Sequence, residues 1–357
     1  MKTAKRIMQI ILLCIASGLN AQDWELVWSD EFDGNAVDPA KWEFQIGDGC
    51  PNLCGWGNNE LQYYRAENAV VEDGLLKINA LRQTFGGRQY TSVRMRSLNK
   101  GDWTYGRFEA RIRLPEGQGI WPAFWMLPTD EVYGGWPRSG EIDIMEMVGH
   151  EPATVHGTIH FGDPWPNNSF TGNSYRLSQG KFSDDFHLFA VEWGVGVIDW
   201  YVDGTKFSTK TRNDLQGKKW PFDQQFHLLL NLAVGGNWPG NPDAGTVFPQ
   251  VMEVDYVRVY QLTNITGLGD ETDGGFLVYP VPAKDTIRLL LPEDDVAGNA
   301  FQISLTAMNG ATVKEWGFLS ADSDRSLELD VSEATAGIYM LQVSGYDKVM
   351  RKKIAIH

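Results

Sequence analysis

Cysteine is nearly absent: the chain has 3 in 357 residues. That count excludes a disulfide-rich scaffold. Basic residues are in short supply as well, 31 Lys and Arg against 46 Asp and Glu, a formal charge of −15. Such a balance repels phosphate backbones and argues against nucleic-acid binding. Long apolar runs are missing after the N-terminus, and mean hydropathy is −0.30, so an integral membrane protein is not expected. No internal repeat occurs, and no stretch has the 3.6-residue periodicity of a long amphipathic helix.

The one sustained apolar run, Ile7 to Ala16, follows Lys2, Lys5 and Arg6 and precedes Leu19-Asn20-Ala21. A basic start, a run too short to span a bilayer and a small-residue site together read as a secretory signal peptide over residues 1–21. Its removal takes three basic residues and no acidic ones. That leaves 28 basic against 46 acidic residues, a net charge of −18. It also takes Cys14. The remaining Cys50 and Cys54 lie in DGCPNLCGWG. In an oxidising compartment a disulfide between them is expected, pinning local shape more than global stability. A zinc half-site is the rival, but no second Cys/His pair stands at zinc-finger spacing.

Short runs alternate apolar and polar residues between Gly, Pro, Asn and Asp: GLLKINALR, YGRFEARIRL, FHLFAVEWG, VIDWYVDG, FHLLLNLAV and EVDYVRVYQL. Period two with frequent turns predicts an all-β protein of antiparallel strands, a sandwich or barrel, over residues 22–262. Residues 263–275, TNITGLGDETDGG, read as a linker. Further strand-like runs in 276–357 predict a second, small β-sandwich. The first block holds 13 of the 14 Trp; the second has Trp316 alone. Flat aromatic faces can line a sugar-binding cleft, although Trp also fills cores. Any chemistry is expected in the first block.

The richest segment is SGEIDIMEMVGH, residues 139–150. Alternation puts Glu141 and Asp143 on one strand face and Ile142 and Ile144 on the other. Glu146, five residues from Glu141, would face away in a regular strand. One extra residue, a bulge near Met145, returns it to the carboxylate face. Glu141 and Glu146 are then about four strand steps apart, roughly 13 Å between Cα atoms. Inward-leaning side chains bring the carboxyls to about 5 Å, the separation of a retaining glycosidase rather than the wider one of an inverting enzyme. Three acids on one face raise the pKa of at least one of them, as a general acid requires. A solvated acidic strand is the plain alternative, and a metal cluster of the three acids another. Against the first stand Trp121, Phe124, Trp125 and Trp136 just upstream; against the second, no His is placed close by in the sequence to complete it.

GEIDIMEMVG resembles the signature of glycoside hydrolase family 16 in its bulged E-x-D-x-x-E form, and the laminarinase branch of endo-1,3-β-glucanases is nearest. The resemblance extends over GWGNNELQYYR at 55–65, YGRFEARIRLPEGQGIWPAFWMLP at 105–128, HGTIHFG at 156–162 and NLAVGGNWPG at 231–240. It implies a β-jelly-roll sandwich of the concanavalin A type with the glycan cleft on one concave face. It further implies Glu141 as nucleophile, Glu146 as acid/base and Asp143 between them. Trp136 matches a tryptophan stacked beside the scissile bond. Trp121, Trp125 and Trp238 are cleft candidates, with core packing the rival for Trp125 and loop packing for Trp238. Asn58, Arg94 and Arg96 match polar positions that bind sugar hydroxyls, and His160 matches a histidine near the carboxylates. Many members of the family hold a structural Ca2+; the matching positions are Glu31, the carbonyl of Gly74 and Asp255. No organic cofactor is implied.

The C-terminal block resembles the sorting domain read by the type IX secretion system. VYPVPAKDTIRL at 278–289 matches its opening Y-P-x-P element, with Val281 where an Asn is usual, and GIYMLQVSGYDKVMRKKIAI at 337–356 its basic end. The rival, a carbohydrate-binding sandwich, is disfavoured by the lack of clustered Trp. The expected protein is a monomeric, secreted or cell-surface endo-β-glucanase. Its expected partners are a β-glucan polysaccharide and the type IX secretion machinery. A family member cutting mixed-linkage glucan or a marine galactan, and a non-catalytic glucan-binding lectin, are the other readings.

Overall fold

The structure, a computed structural model, describes residues 24–262 apart from Trp165, and residues 276–356 apart from 280–282, 292–299, 321–325 and 346–348. The expected signal peptide, the linker and the Y-P-x-P prolines lie outside the described residues.

Residues 24–262 form two eight-stranded sheets. One runs, edge to edge, Thr205–Thr211, Val197–Val202, His187–Gly194, Gly106–Arg113, Gln250–Leu262, Leu75–Ala80 and Ala69–Glu72, with Trp24–Asp30 also pairing Gln250–Leu262. The other runs Asn168–Arg176, Thr154–Gly162, Glu141–Glu146, Ile120–Pro128, Phe226–Val234, Arg94–Arg96 and Glu43–Phe44, with Asp102–Trp103 against Phe226–Val234. Neighbours far apart in sequence, such as Ile120–Pro128 beside Phe226–Val234, show the chain crossing between sheets, as in the jelly roll that the family resemblance implies.

Alternation explains the layering. In Leu75–Ala80 and Gly106–Arg113 the side chains of Leu76, Ile78, Phe108, Ala110 and Ile112 turn inward and are fully buried. Trp193 and Trp200 fill the core with Phe124, Phe226 and Leu230. Phe226–Val234 departs from the half-buried pattern, because every one of its nine residues is buried. Its position is central, with the core beneath it and a layer of Trp125 and Arg94 above.

The C-terminal residues form a three-stranded sheet (Leu277–Tyr279, Thr286–Leu290, Ser326–Asp330) and a four-stranded one (Thr312–Ser320, Ala300–Ala307, Gly337–Ser344, Val349–Ile356). They enclose a separate core that includes Ile287, Leu289, Ile303, Leu341 and Ile354.

Candidate active site

The bulge is present. Opposite Thr154–Gly162, Asp143 pairs with Thr158 and Glu146 with His156, so Ile144 and Met145 together face Gly157. Two residues against one restore phase. Ile142, Ile144 and Met145 all point into the core, and Glu141, Asp143 and Glu146 share the outer face. Trp200, from the opposing sheet, holds the kink by donating its indole N–H to the Asp143 carbonyl at 2.8 Å. Gly157 makes room for it, since a Cβ there would lie 2.3 Å from the Trp200 ring.

Register then places the surrounding side chains in rows that cross the strands. One row is Gly172, Thr158, Asp143, Trp125, Leu229, Arg96 and Glu43. The next is Ser174, His156, Glu146, Ala123, Asn231 and Arg94. Glu141 begins a third, beside His160 and then Phe170. Cross-strand neighbours are about 5 Å apart, so these residues form one continuous surface.

Each glutamate has an indole of its own. Trp136 donates Nε1–H to Glu141 at 2.8 Å, and Trp121 donates to Glu146 at 3.0 Å. The His160 Nε2 lies 3.2 Å from Asp143 and 3.7 Å from Glu141. Burial and then the negative charge of Asp143 push Glu141 up to about 7, against the pull of His160, the Trp136 N–H and Arg94. The same two causes, burial and Asp143, hold Glu146 well above the usual carboxylate range. Burial alone would lower His160, but Glu141 and Asp143 outweigh it and raise the imidazole to about 10. At neutral pH His160 is therefore a cation set among acids. Ligand atoms of Glu141, Asp143 and His160 lie within 4.8 Å of one another. The arrangement has two buried carboxyls that hold a proton more readily than usual, with an imidazole beside them, on a shared face.

The other expected residues fall into two groups. Arg94 is buried, with its guanidinium 4.5 Å from the Trp56 ring centre and 4.7 Å from that of Trp125, and it donates Nε–H to Gln45 at 2.6 Å. Trp125 lies on the carboxylate face opposite Asp143, and its indole donates to Asn231 at 2.7 Å. Arg96 donates to Glu43 at 2.5 Å. Trp136 and Trp238 are 43% and 41% exposed, and Trp238 packs edge-on against Trp121 and His156. Asn58 reaches Glu60 at 3.5 Å.

Glu31, Gly74 and Asp255 lie away from this surface. Gln250–Leu262 is flanked first by Leu75–Ala80, up to Val254, and then by Trp24–Asp30, from Val257. The three residues border that change of partner in the register. Glu31 accepts two N–H groups from Arg258, and Asp255 accepts one from Arg111 at 2.6 Å. Cys50 and Cys54 are bonded to each other.

Sequence reasoning passed over a buried network. Glu60 accepts from Gln62 at 2.7 Å and from the Tyr64 hydroxyl at 3.0 Å, and Tyr64 accepts from Asn231 at 3.4 Å. Burial raises the Glu60 carboxyl, and Arg94 opposes the rise. The Tyr64 hydroxyl thereby links Asn231 to Glu60. The signal was available, because Glu60, Gln62 and Tyr64 are two residues apart in a strand-like run. His156, facing Glu146, was missed as well.

Comparison with known proteins agrees with this fold. The model of glycosyl hydrolases family 16 matches residues 57–258, and that of the secretion system C-terminal sorting domain matches residues 277–357. A beta-glucanase of Rhodothermus marinus is 44% identical over 281 residues, 73% of this chain and 95% of its own length. The glucan endo-1,3-beta-glucosidase A1 of Niallia circulans is 43% identical over 66% of this chain, which spans 38% of that longer protein. The laminarinase catalytic domain from Thermotoga maritima MSB8 is 48% identical, with a TM-score of 0.64, over 68% of this chain and 100% of that one.

Proposed function

The chain belongs to the glycosyl hydrolases of family 16, and on that premise we propose that it is an exported endo-1,3-β-glucanase cutting laminarin-type glucans with retention. The observation that carries the reading is the bulged strand, which turns Glu141, Asp143 and Glu146 to one face. In this reading Glu141 attacks the anomeric carbon, and the glycosidic C–O bond breaks as Glu146 gives its proton to the leaving oxygen. Glu146 then takes a proton from a water, whose oxygen displaces Glu141 and restores the β configuration. Burial and the charge of Asp143, which hold Glu146 well above the usual carboxylate range, support its role as the acid. The nearness of Arg94 and His160 supports an ionised Glu141. His160 and Asp143 tune the pair, and the exposed face of Trp136 suits the ring of the sugar being cleaved.

No organic cofactor is expected. A structural Ca2+ at Glu31, Gly74 and Asp255 belongs to the same reading. Its donors are all oxygens, which suits a hard cation, and they border one change of strand partner. Such an ion would compete with Arg258 and Arg111 for the two carboxylates. Export runs through the type IX machinery, read from the sorting domain at 277–357, with catalysis confined to 22–262 and a linker at 263–275.

The test is an assay of purified residues 22–262 on laminarin, lichenan, agarose and carrageenan with product sizing. Laminarin should be cut internally, giving a ladder of oligosaccharides. Cleavage of a galactan in preference, or binding without cleavage, would overturn the reading.

A further inference from the structure

Asn168–Arg176 is the edge strand of the carboxylate sheet, and its sequence, NSFTGNSYR, is polar on both faces except at Phe170 and Tyr175. Polar, mixed composition is what an exposed edge needs to avoid pairing with other chains. Phe170 breaks that rule: it is 69% exposed, more so than Trp136 or Trp238. The core does not explain it, since Phe170 lies on the outer face.

Its register does suggest a use. Phe170 pairs directly with His160, which pairs with Glu141. The rings of Trp136, His160 and Phe170 form a file, with centroids 6.0 Å and then 5.6 Å apart and tilts of 40° and 35°. Phe170 stands two strand spacings from Glu141, about 10 Å. That is too far to touch the anomeric carbon. Next along the same face is Gly172, which has no side chain to cover Phe170 from that side. The strand beneath is fixed. Lys218 donates to the Ser169 hydroxyl at 2.6 Å, and Lys210 donates to the Asn173 side-chain amide oxygen at 2.7 Å. An exposed apolar ring in line with Trp136 and His160, on a strand tied down at Ser169 and Asn173, suits a flat, partly apolar partner.

We propose that Phe170 is a sugar platform on the edge-strand side of the cleft, taking a glucose unit of the β-glucan beyond the pair being parted. The proposal rests on the glucanase reading. It makes the cleft two-armed: Trp125, Arg94 and Trp56 line one arm, and Phe170 ends the other. A contact with a remote unit is made equally in ground and transition states, so it appears in KM rather than in kcat.

The test compares Phe170→Ala with the unchanged protein on laminarin. KM should rise about 3- to 10-fold, the range of one aromatic contact, with kcat within about twofold. Phe170→Trp should restore KM. In a Glu141→Gln background, calorimetric titration with a 1,3-linked glucose hexamer should show the same weakening of Kd on adding Phe170→Ala. Melting temperature should not move, because the side chain is exposed. Unchanged KM and Kd would overturn the proposal. A fall in kcat with a shifted pH profile would also overturn it, making Phe170 a positioning residue for His160. An unchanged protein that cleaves no glucan would sink the glucanase reading, whereas an active one matched by Phe170→Ala sinks only the platform.

Discussion

The two sheets of the first sandwich are built from the same alternating pattern, yet their outer faces treat charge in opposite ways. On the sheet containing Gly106–Arg113, acids meet bases. Arg107 bridges Glu109 and Glu192, Tyr201 donates to Glu192 at 2.8 Å, Arg258 holds Glu31, and Arg113 holds Glu253. On the sheet containing Glu141–Glu146, three acids crowd one another, with His160 as the near cation and indoles as the main donors. Compensated charge secures a surface. Uncompensated charge in a shielded place costs stability and shifts protonation, which is the signature of a working site.

Removing a carboxylate from each face sharpens the contrast most. Glu141→Gln and Glu146→Gln should each cut kcat on laminarin by about 10²- to 10⁴-fold or more. Their melting temperatures should hold or rise, because a buried carboxylate with a raised pKa opposes folding in its charged form. Glu192→Gln should do the reverse, losing about 1 kcal/mol of stability in urea titration and keeping full activity. Equal activity loss in all three would erase the distinction between the faces.

Gly157→Ala probes the kink that turns Glu146 outward. The added methyl collides with the Trp200 ring, and overpacking of this kind costs about 1–3 kcal/mol. Activity should fall further than in a variant of matched stability loss from the other sheet, because Trp200 also fixes the Asp143 carbonyl.

The smallest expected effect is on pH. Asp143 raises Glu146, so Asp143→Asn should lower the pKa of the acid. The alkaline limb of the kcat profile should move to lower pH. An unmoved or raised alkaline limb would show that Asp143 does not set the proton affinity of Glu146.

The sequence carried much of this. The spacing called for a bulge near Met145, because Glu146 stands five positions after Glu141, an odd step that puts the two acids on opposite faces of a regular strand. Period two found the strands. It could not say that FHLLLNLAV is buried on both sides, which depends on what lies above it. Nor could it place Trp125 on the cleft face, since a strand residue is equally free to turn either way until the register is known. Phe170 escaped for another reason: NSFTGNSYR has no apolar alternation, because an edge strand is wet on both sides. Glu60 was hidden in a quoted motif, where its partners Gln62 and Tyr64 look like ordinary polar residues until burial closes the network.

The central claim is that Glu141 and Glu146 share one face closely enough for double displacement. Proton NMR of the first products released from laminarin tests it most directly, before mutarotation sets in. The β-anomer should appear first and the α-anomer only later. An α-anomer at the earliest time point would contradict a retaining pair on this strand.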